Sequence, residues 1–193
     1  MSSPPSVQGP SKNQLVTATH EFDEIDLRIL TALQRNGRMS NIAISQIAQI
    51  TAPPTLRRTR TLEGKGIIRG YRAEIDARKL GFEVLAFVFV GLVSQSNRDI
   101  KAFEHVVQFW LPVRECYSLS GETDFLLKCV AKNLTELQGF VTNTVMKTAG
   151  VRSVKTAFSS HIVKHEPTVP LSQVAAPPPL GAARKPRLQP SSR

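Results

Sequence analysis

The chain changes its hydrophobic period once, and that change limits the folds open to it. From Asp23 to Gly64 the apolar residues recur at helical spacing; beyond Gly70 they gather into short runs separated by turn residues. Neither a helical bundle nor a sheet alone accommodates both halves. The pattern predicts an α+β protein: three helices over 21–70, a linker strand and turn over 71–81, and a second domain over 82–165. Two small domains suit a length of 193 residues. Residues 1–20 are rich in Ser, Pro, Gln and Thr and read as a disordered arm, and 166–193 as a disordered basic tail.

In the first domain, Asp23 is placed to cap a helix, with Asp26 near the positive end of the helix dipole. Phe22 and Leu27 have the spacing of a hydrophobic staple. Ile25, Ile29, Leu30 and Leu33 form one face, and Asn36-Gly37 supplies a positive-φ residue to end the helix. A short second helix follows over Asn41–Gln49, with Ile42, Ile44, Ile47 and Ala48 as its apolar positions. Thr51 caps a third, whose first positions are Ala52, Pro53 and Pro54. Proline is tolerated there because the first N–H groups of a helix have no intrahelical acceptor. Leu56, Thr59 and Leu62 are expected to face inward, and Arg57, Arg58, Arg60 and Thr61 outward.

Three short helices with a basic third one describe a helix-turn-helix of the winged type. The charge agrees. Of the net +10, residues 1–80 carry +5 (12 Lys/Arg against 7 Asp/Glu), residues 81–166 carry +1, and 167–193 hold 4 basic residues and no acid. A polyanionic partner, double-stranded DNA, fits this distribution. The candidate contacts are Thr51, Ala52, Pro53, Thr55, Arg57, Arg58 and Arg60, through amides, hydroxyls and guanidinium groups. Arg184, Lys185 and Arg187 of the tail read first as plainly solvated charges, with non-specific phosphate contact as the alternative.

In the second domain the order is β-α-β-β-α-β, a ferredoxin-like arrangement. Tyr71–Ile75 is expected as a linker strand and Phe82–Val93 as the first strand of the domain. Asn97 opens a helix that buries Ile100, Phe103, Val107 and Trp110. Val113–Leu119 and Thr123–Ala131 make a hairpin, Asn133 caps a helix carrying Leu134, Leu137, Val141 and Val145, and Val151–Val163 closes the sheet. Gly139 inside that helix has no evident reason. Val84 to Val90 barely alternates, so both faces of this strand should be buried, the second by another copy of the chain.

Cys116 and Cys129 make no disulfide framework and read as small strand residues. There is no apolar run long enough for a membrane span and no secretory signal, so a cytoplasmic location is expected. His20, His105, His161 and His165 are scattered, and no metal, cofactor or catalytic residues are assigned.

Four stretches together resemble the Lrp/AsnC, or feast/famine, family of regulators. They are Phe22-Asp23-Glu24-Ile25-Asp26 through Ser40-Asn41, Leu56-Arg57-Arg58 through Gly70-Tyr71, Glu115-Cys116-Tyr117 with Gly121 to Lys128, and Gly150 to Thr156. The resemblance covers about residues 21–165. It implies a DNA-binding transcriptional regulator, homodimers assembling into higher oligomers, and a small-molecule effector, an amino acid. The effector loop maps to Tyr117, Leu119, Ser120, Gly121, Thr123 and Asp124. Amides at a glycine turn would hold a carboxylate and Asp124 an ammonium. The bland alternative is a hairpin turn in which Asp124 caps its own backbone. The family often has Gly where Gln49 stands, which suggests a differently shaped turn here. Two other functions share the fold: a sirohaem-decarboxylase-like enzyme and a nucleoid-associated protein of low sequence specificity.

Overall fold

The computed structural model of the protein describes residues 22–174, which fall into two compact units. The described part of the first comprises 22–72 and 167–174; the second is 73–166. The N-terminal arm and the chain beyond Val174 lie outside the described residues.

The first unit is built from α1 (Glu24–Arg35), α2 (Asn41–Ala48) and α3 (Ala52–Gly64). Each start has a local cause. The Asp23 carboxylate accepts from Asp26 N at 2.8 Å, and the Ser40 hydroxyl accepts from Ala43 N at 3.2 Å. Thr51 is extended at the head of α3 but makes no side-chain cap bond. Ile29, Leu30, Ile44, Ala48 and Leu62 form the core, with Phe22, Ile25, Leu33 and Ile67 packed around it.

Several local expectations are corrected here. Gly37 does not adopt positive φ; α1 ends on extended Asn36, whose side chain accepts from Arg38 N at 2.9 Å. Gly37 instead makes room for the Tyr71 ring, because a Cβ there would lie 3.2 Å from Tyr71 Cδ1. Gln49 takes the left-handed conformation (φ 59°) that glycine would favour, so the α2–α3 turn keeps that shape. Its side chain is held by Arg28, which donates to Gln49 Oε1 at 3.0 Å. Ile42, Ile47 and Leu56 are exposed rather than inward, because α2 and α3 each bury only a narrow stripe.

The second unit is a four-stranded antiparallel sheet in the order β2-β3-β1-β4, made of β1 (Val84–Leu92), β2 (Val113–Ser118), β3 (Phe125–Ala131) and β4 (Val151–Phe158). Helices α4 (Asn97–Val107) and α5 (Leu134–Phe140) complete the ferredoxin-like order. α5 continues into one π-helical turn, Val141–Val145. The core joins Ala86, Val88 and Val90 of β1, Phe125, Leu127 and Cys129 of β3, and Phe103, Val107, Leu137 and Val145. Phe103 stacks against Phe125 at 4.6 Å and meets Trp110 edge-on at 5.6 Å.

β1 and β3 do alternate. Leu85, Phe87 and Phe89 on β1, and Leu126, Lys128 and Val130 on β3, share the opposite face and are only half-buried. The cap of α4 is Ser96, which accepts from Asp99 N at 3.2 Å, and Asn97 is its first helical residue. Leu134 is exposed, and nothing in the structure explains Gly139. Among the described residues 65–83 no strand forms, so the strand expected at Tyr71–Ile75 is absent: it pairs with no other described segment.

The tail reading is corrected in part. Pro167 to Val174 belongs to the first unit, with Leu171 and Val174 half-buried and the other residues exposed. Leu171–Gln173 forms a 3₁₀ turn, Leu171 packs on the helical core, and Gln34 Nε2 donates to the Val169 carbonyl at 3.2 Å.

Candidate nucleic-acid interface and effector loop

The two sides of α3 differ in what they can do. Thr55, Thr59 and Leu62 are buried against α1 and α2. Pro53, Leu56, Arg57, Arg60 and Thr61 line one shallow groove on the outside. Their spacing of three, four, seven and eight residues places them on a single helical face. This outer stripe offers two guanidinium groups, a hydroxyl and apolar surface, a combination suited to phosphates and base edges.

The seven residues expected to touch DNA therefore separate. Arg57, Arg60 and Pro53 lie on the outer stripe, and Thr51 is exposed at its head. Ala52 is half-buried, and its carbonyl accepts from Asn41 Nδ2 at 2.8 Å, which ties α2 to the start of α3. Thr55 is 0% exposed and its hydroxyl donates to the Thr51 carbonyl at 2.9 Å, so it is a packing residue. Prolines at 53 and 54 remove two N–H groups, and Thr55 N already bonds Thr51 O at 3.3 Å. Of the first four positions, only the Ala52 amide is left for an anion.

Arg58 is the largest correction. It is 31% exposed and pairs with Asp23 at 2.7 Å and Asp26 at 2.8 Å. Hydrogen bonding to Asp26 is the largest influence raising the pKa of its guanidinium. Burial works to raise the Asp23 carboxyl, yet the Asp26 N–H and Arg58 hold it below its ordinary value. Arg58 thus clamps α3 to the head of α1 rather than projecting outward. The one sequence signal was the acidic pair at the start of α1, which the cap reading had absorbed.

In the second unit, the loop between β2 and β3 carries the expected effector residues. Tyr117 (49% exposed), Leu119, Ser120 and Gly121 are exposed, and Thr123 is half-buried. Gly121 lies at φ 157°, in a region where a side chain is strained. Asp124 differs: it is 8% exposed and both its oxygens are engaged. Leu92 N donates to Oδ2 at 2.6 Å and Gln95 Nε2 to Oδ1 at 2.8 Å, while Asp124 N bonds Val90 O at 3.0 Å. It neither caps its own turn nor presents a carboxylate to solvent; it ties the end of β1 to the start of β3. Gln95, missed in the sequence, is its second partner.

Tyr117 donates to Glu115, and Lys128 Nζ pairs with Glu115 Oε1 at 2.8 Å. The Lys128 hydrogen bond, then that from Tyr117, hold the Glu115 carboxyl below its ordinary range. The loop's approach is therefore a fixed polar ladder, with the Tyr117 ring and Leu119 as exposed apolar surface.

Comparison with known proteins agrees with both halves. Residues 22–69 match the winged helix-turn-helix DNA-binding model and residues 85–169 the Lrp/AsnC ligand-binding domain. The chain is 46% identical over 144 residues to the leucine-responsive regulatory protein of Rhizobium meliloti, covering 75% of this chain and 92% of that one. It is 36% identical to the Bkd operon transcriptional regulator of Pseudomonas aeruginosa, covering 78% and 99%. Among solved structures, a transcriptional regulator from Neisseria meningitidis in complex with L-Met superposes with a TM-score of 0.76 at 30% identity, covering 80% and 99%. A helix-turn-helix with a basic outer stripe, joined to a ferredoxin-like unit, and relatives matched over nearly their whole length lead to one assignment: this chain belongs to the Lrp/AsnC family of DNA-binding transcriptional regulators.

Proposed function

We propose that the protein reads duplex DNA through the outer stripe of α3, and that an amino acid held at the β2–β3 loop modulates that binding. The observation that carries the first part is the single helical face of Pro53, Leu56, Arg57, Arg60 and Thr61, opposite a buried face. Arg57 and Arg60 are the charge-bearing readers, with Thr51 at the head of the helix.

The effector site uses the exposed backbone of Ser120, Gly121 and Glu122 for a carboxylate, with Tyr117 and Leu119 as apolar contacts. The L-Met complex of the Neisseria relative supports an amino acid as the ligand class. Asp124 enters as a positioning residue that fixes the loop, because its oxygens are already occupied. The loop is open on its outer side, so a second copy of the chain completes the pocket. Copies also cover the half-buried Phe87 and Phe89 face of the sheet. No helix among the described residues is long and apolar enough to cross a membrane, and a cytoplasmic location is part of this proposal.

Genome-wide mapping of bound DNA, with and without amino acids, tests the whole reading. Discrete sites whose occupancy changes with an amino acid support it. Uniform occupancy without sequence preference would move the protein to nucleoid compaction. Calorimetry of wild type and Gly121→Val against the same amino acids localises the pocket: binding is lost in the variant if the loop holds the carboxylate, and equal binding would place the pocket elsewhere.

A further inference from the structure

The head of α3 is poor in free hydrogen-bonding groups and rich in exposed apolar surface. Pro53 and Pro54 carry no N–H, and the Thr55 N–H and hydroxyl both bond the Thr51 carbonyl, at 3.3 Å and 2.9 Å. The Ala52 carbonyl is taken by Asn41 Nδ2 at 2.8 Å. What the first turns present outward is the Pro53 ring and the Leu56 side chain, which is 41% exposed. Leu56 has no part in the helical core, which α3 enters through Leu62. It lies three residues after Pro53 and four before Arg60, so the three follow one ridge of the helix. All three line the same shallow groove as Arg57. Among the described residues neither the Arg57 nor the Arg60 guanidinium has an ion-pair partner, so the apolar surface sits in a cationic setting.

On the base edges of the major groove, the apolar group is the 5-methyl of thymine. An apolar ridge beside two free cations fits those methyls with phosphates to either side. A head rich in donors would instead fit the acceptors of guanine or adenine. We infer that Pro53 and Leu56 are specificity-determining residues that contact thymine 5-methyl groups, so that the protein selects duplexes with thymine opposite the head of α3. The inference rests on the reading of duplex DNA through the outer stripe and deepens it. The two kinds of contact differ in their response to salt. Arg57 and Arg60 displace counterions and their contribution falls as salt rises, whereas methyl burial displaces none.

The test first uses wild-type protein to select the best-bound sequence from a randomised duplex pool. That duplex is then remade with uracil in place of thymine, one position at a time. Uracil keeps the pairing edge and the phosphate and lacks only the methyl. Wild type is expected to lose about fourfold in affinity for each contacted methyl, at one or two positions, with its salt slope unchanged. Leu56→Ala is expected to bind the thymine duplex more weakly, and uracil at the position Leu56 contacts to cost it nothing further. Leu56→Met keeps apolar surface and should keep the preference. Thermal unfolding of each variant checks that the helical unit still folds.

Equal wild-type affinity for thymine and uracil at every position would overturn the inference. So would uracil penalties of wild-type size throughout in a folded Leu56→Ala protein, since the methyls would then be read elsewhere. A penalty spread evenly over all thymines reports duplex stiffness and also overturns it. If Leu56→Ala alters sedimentation but not the thymine preference, the groove joins copies of the chain and the inference fails. Changing Arg57 and Arg60 together to Ala separates this claim from the underlying one. Loss of binding to thymine and uracil duplexes alike keeps the α3 reading even where the methyls prove irrelevant. A pool from which no sequence is enriched, with binding still dependent on those arginines, removes the thymine preference alone. Binding that survives their loss removes both.

Discussion

Asp23 serves two purposes with one carboxylate. It caps α1 through Asp26 N and receives the Arg58 guanidinium from α3. Because its folded pKa lies below the ordinary 3.8, its contribution is present above that value and is lost as pH falls through the folded value. Asp23→Asn keeps an acceptor for the cap but removes the ion pair. It should melt below wild type at pH 7, and the gap should close as the pH falls through the lowered folded value, where the wild-type carboxyl also becomes neutral. A gap independent of pH, read by thermal denaturation, would mean that the charge is irrelevant. The sequence made Asp23 legible as a cap but not as a partner of Arg58. Capping is set by local spacing, whereas the ion pair joins residues 35 positions apart that only the packed helices bring together. Arg57, Arg58 and Arg60 look alike in the sequence; one residue of helical phase separates the exposed Arg57 from the clamping Arg58.

At the scale of elements, almost every helix and strand was legible, and the misses have physical causes. The sheet strands were placed by their apolar runs and the helices by caps and period. β1 looked uninterrupted because both of its faces are apolar, although only one meets the helices. Tyr71–Ile75 has strand composition but no partner among the described residues, and pairing is not visible in composition. In the candidate site, the effector loop was assigned from the family resemblance, and the engagement of Asp124 was not legible, because Leu92 and Gln95 reach it from another strand and loop. The core of the second unit centres on Phe103 between Phe125 and Trp110. Phe103→Ala should cost about 3–5 kcal/mol in urea unfolding. A loss under about 1 kcal/mol would mean that α4 does not pack on the sheet through this ring.

Across the whole molecule, the two faces of β1 give a discriminating pair. Val88 is fully buried in the core, whereas Phe89 lies on the half-buried opposite face. Val88→Asp should fail to fold, since an unpaired buried charge costs several kcal/mol. Phe89→Asp should keep its circular dichroism yet sediment as a smaller species than wild type. A wild-type chain that sediments as a monomer at micromolar concentration would rule out an assembly through this face.

On the proposed reading, the outer stripe of α3 meets the DNA while its inner side holds the fold. Arg57→Ala and Arg58→Ala, compared side by side for duplex affinity and melting temperature, test it most directly. Arg57→Ala should leave the melting temperature unchanged and weaken binding. If Arg57 contacts phosphate, the salt slope falls by about one unit; if it contacts guanine, specificity falls by about 1–3 kcal/mol. Arg58→Ala should lower stability by about 1 kcal/mol and leave the salt slope of the folded protein unchanged. The reverse result, with Arg58 carrying the salt-dependent binding and Arg57 dispensable, would rule out the outer stripe as the DNA-binding face.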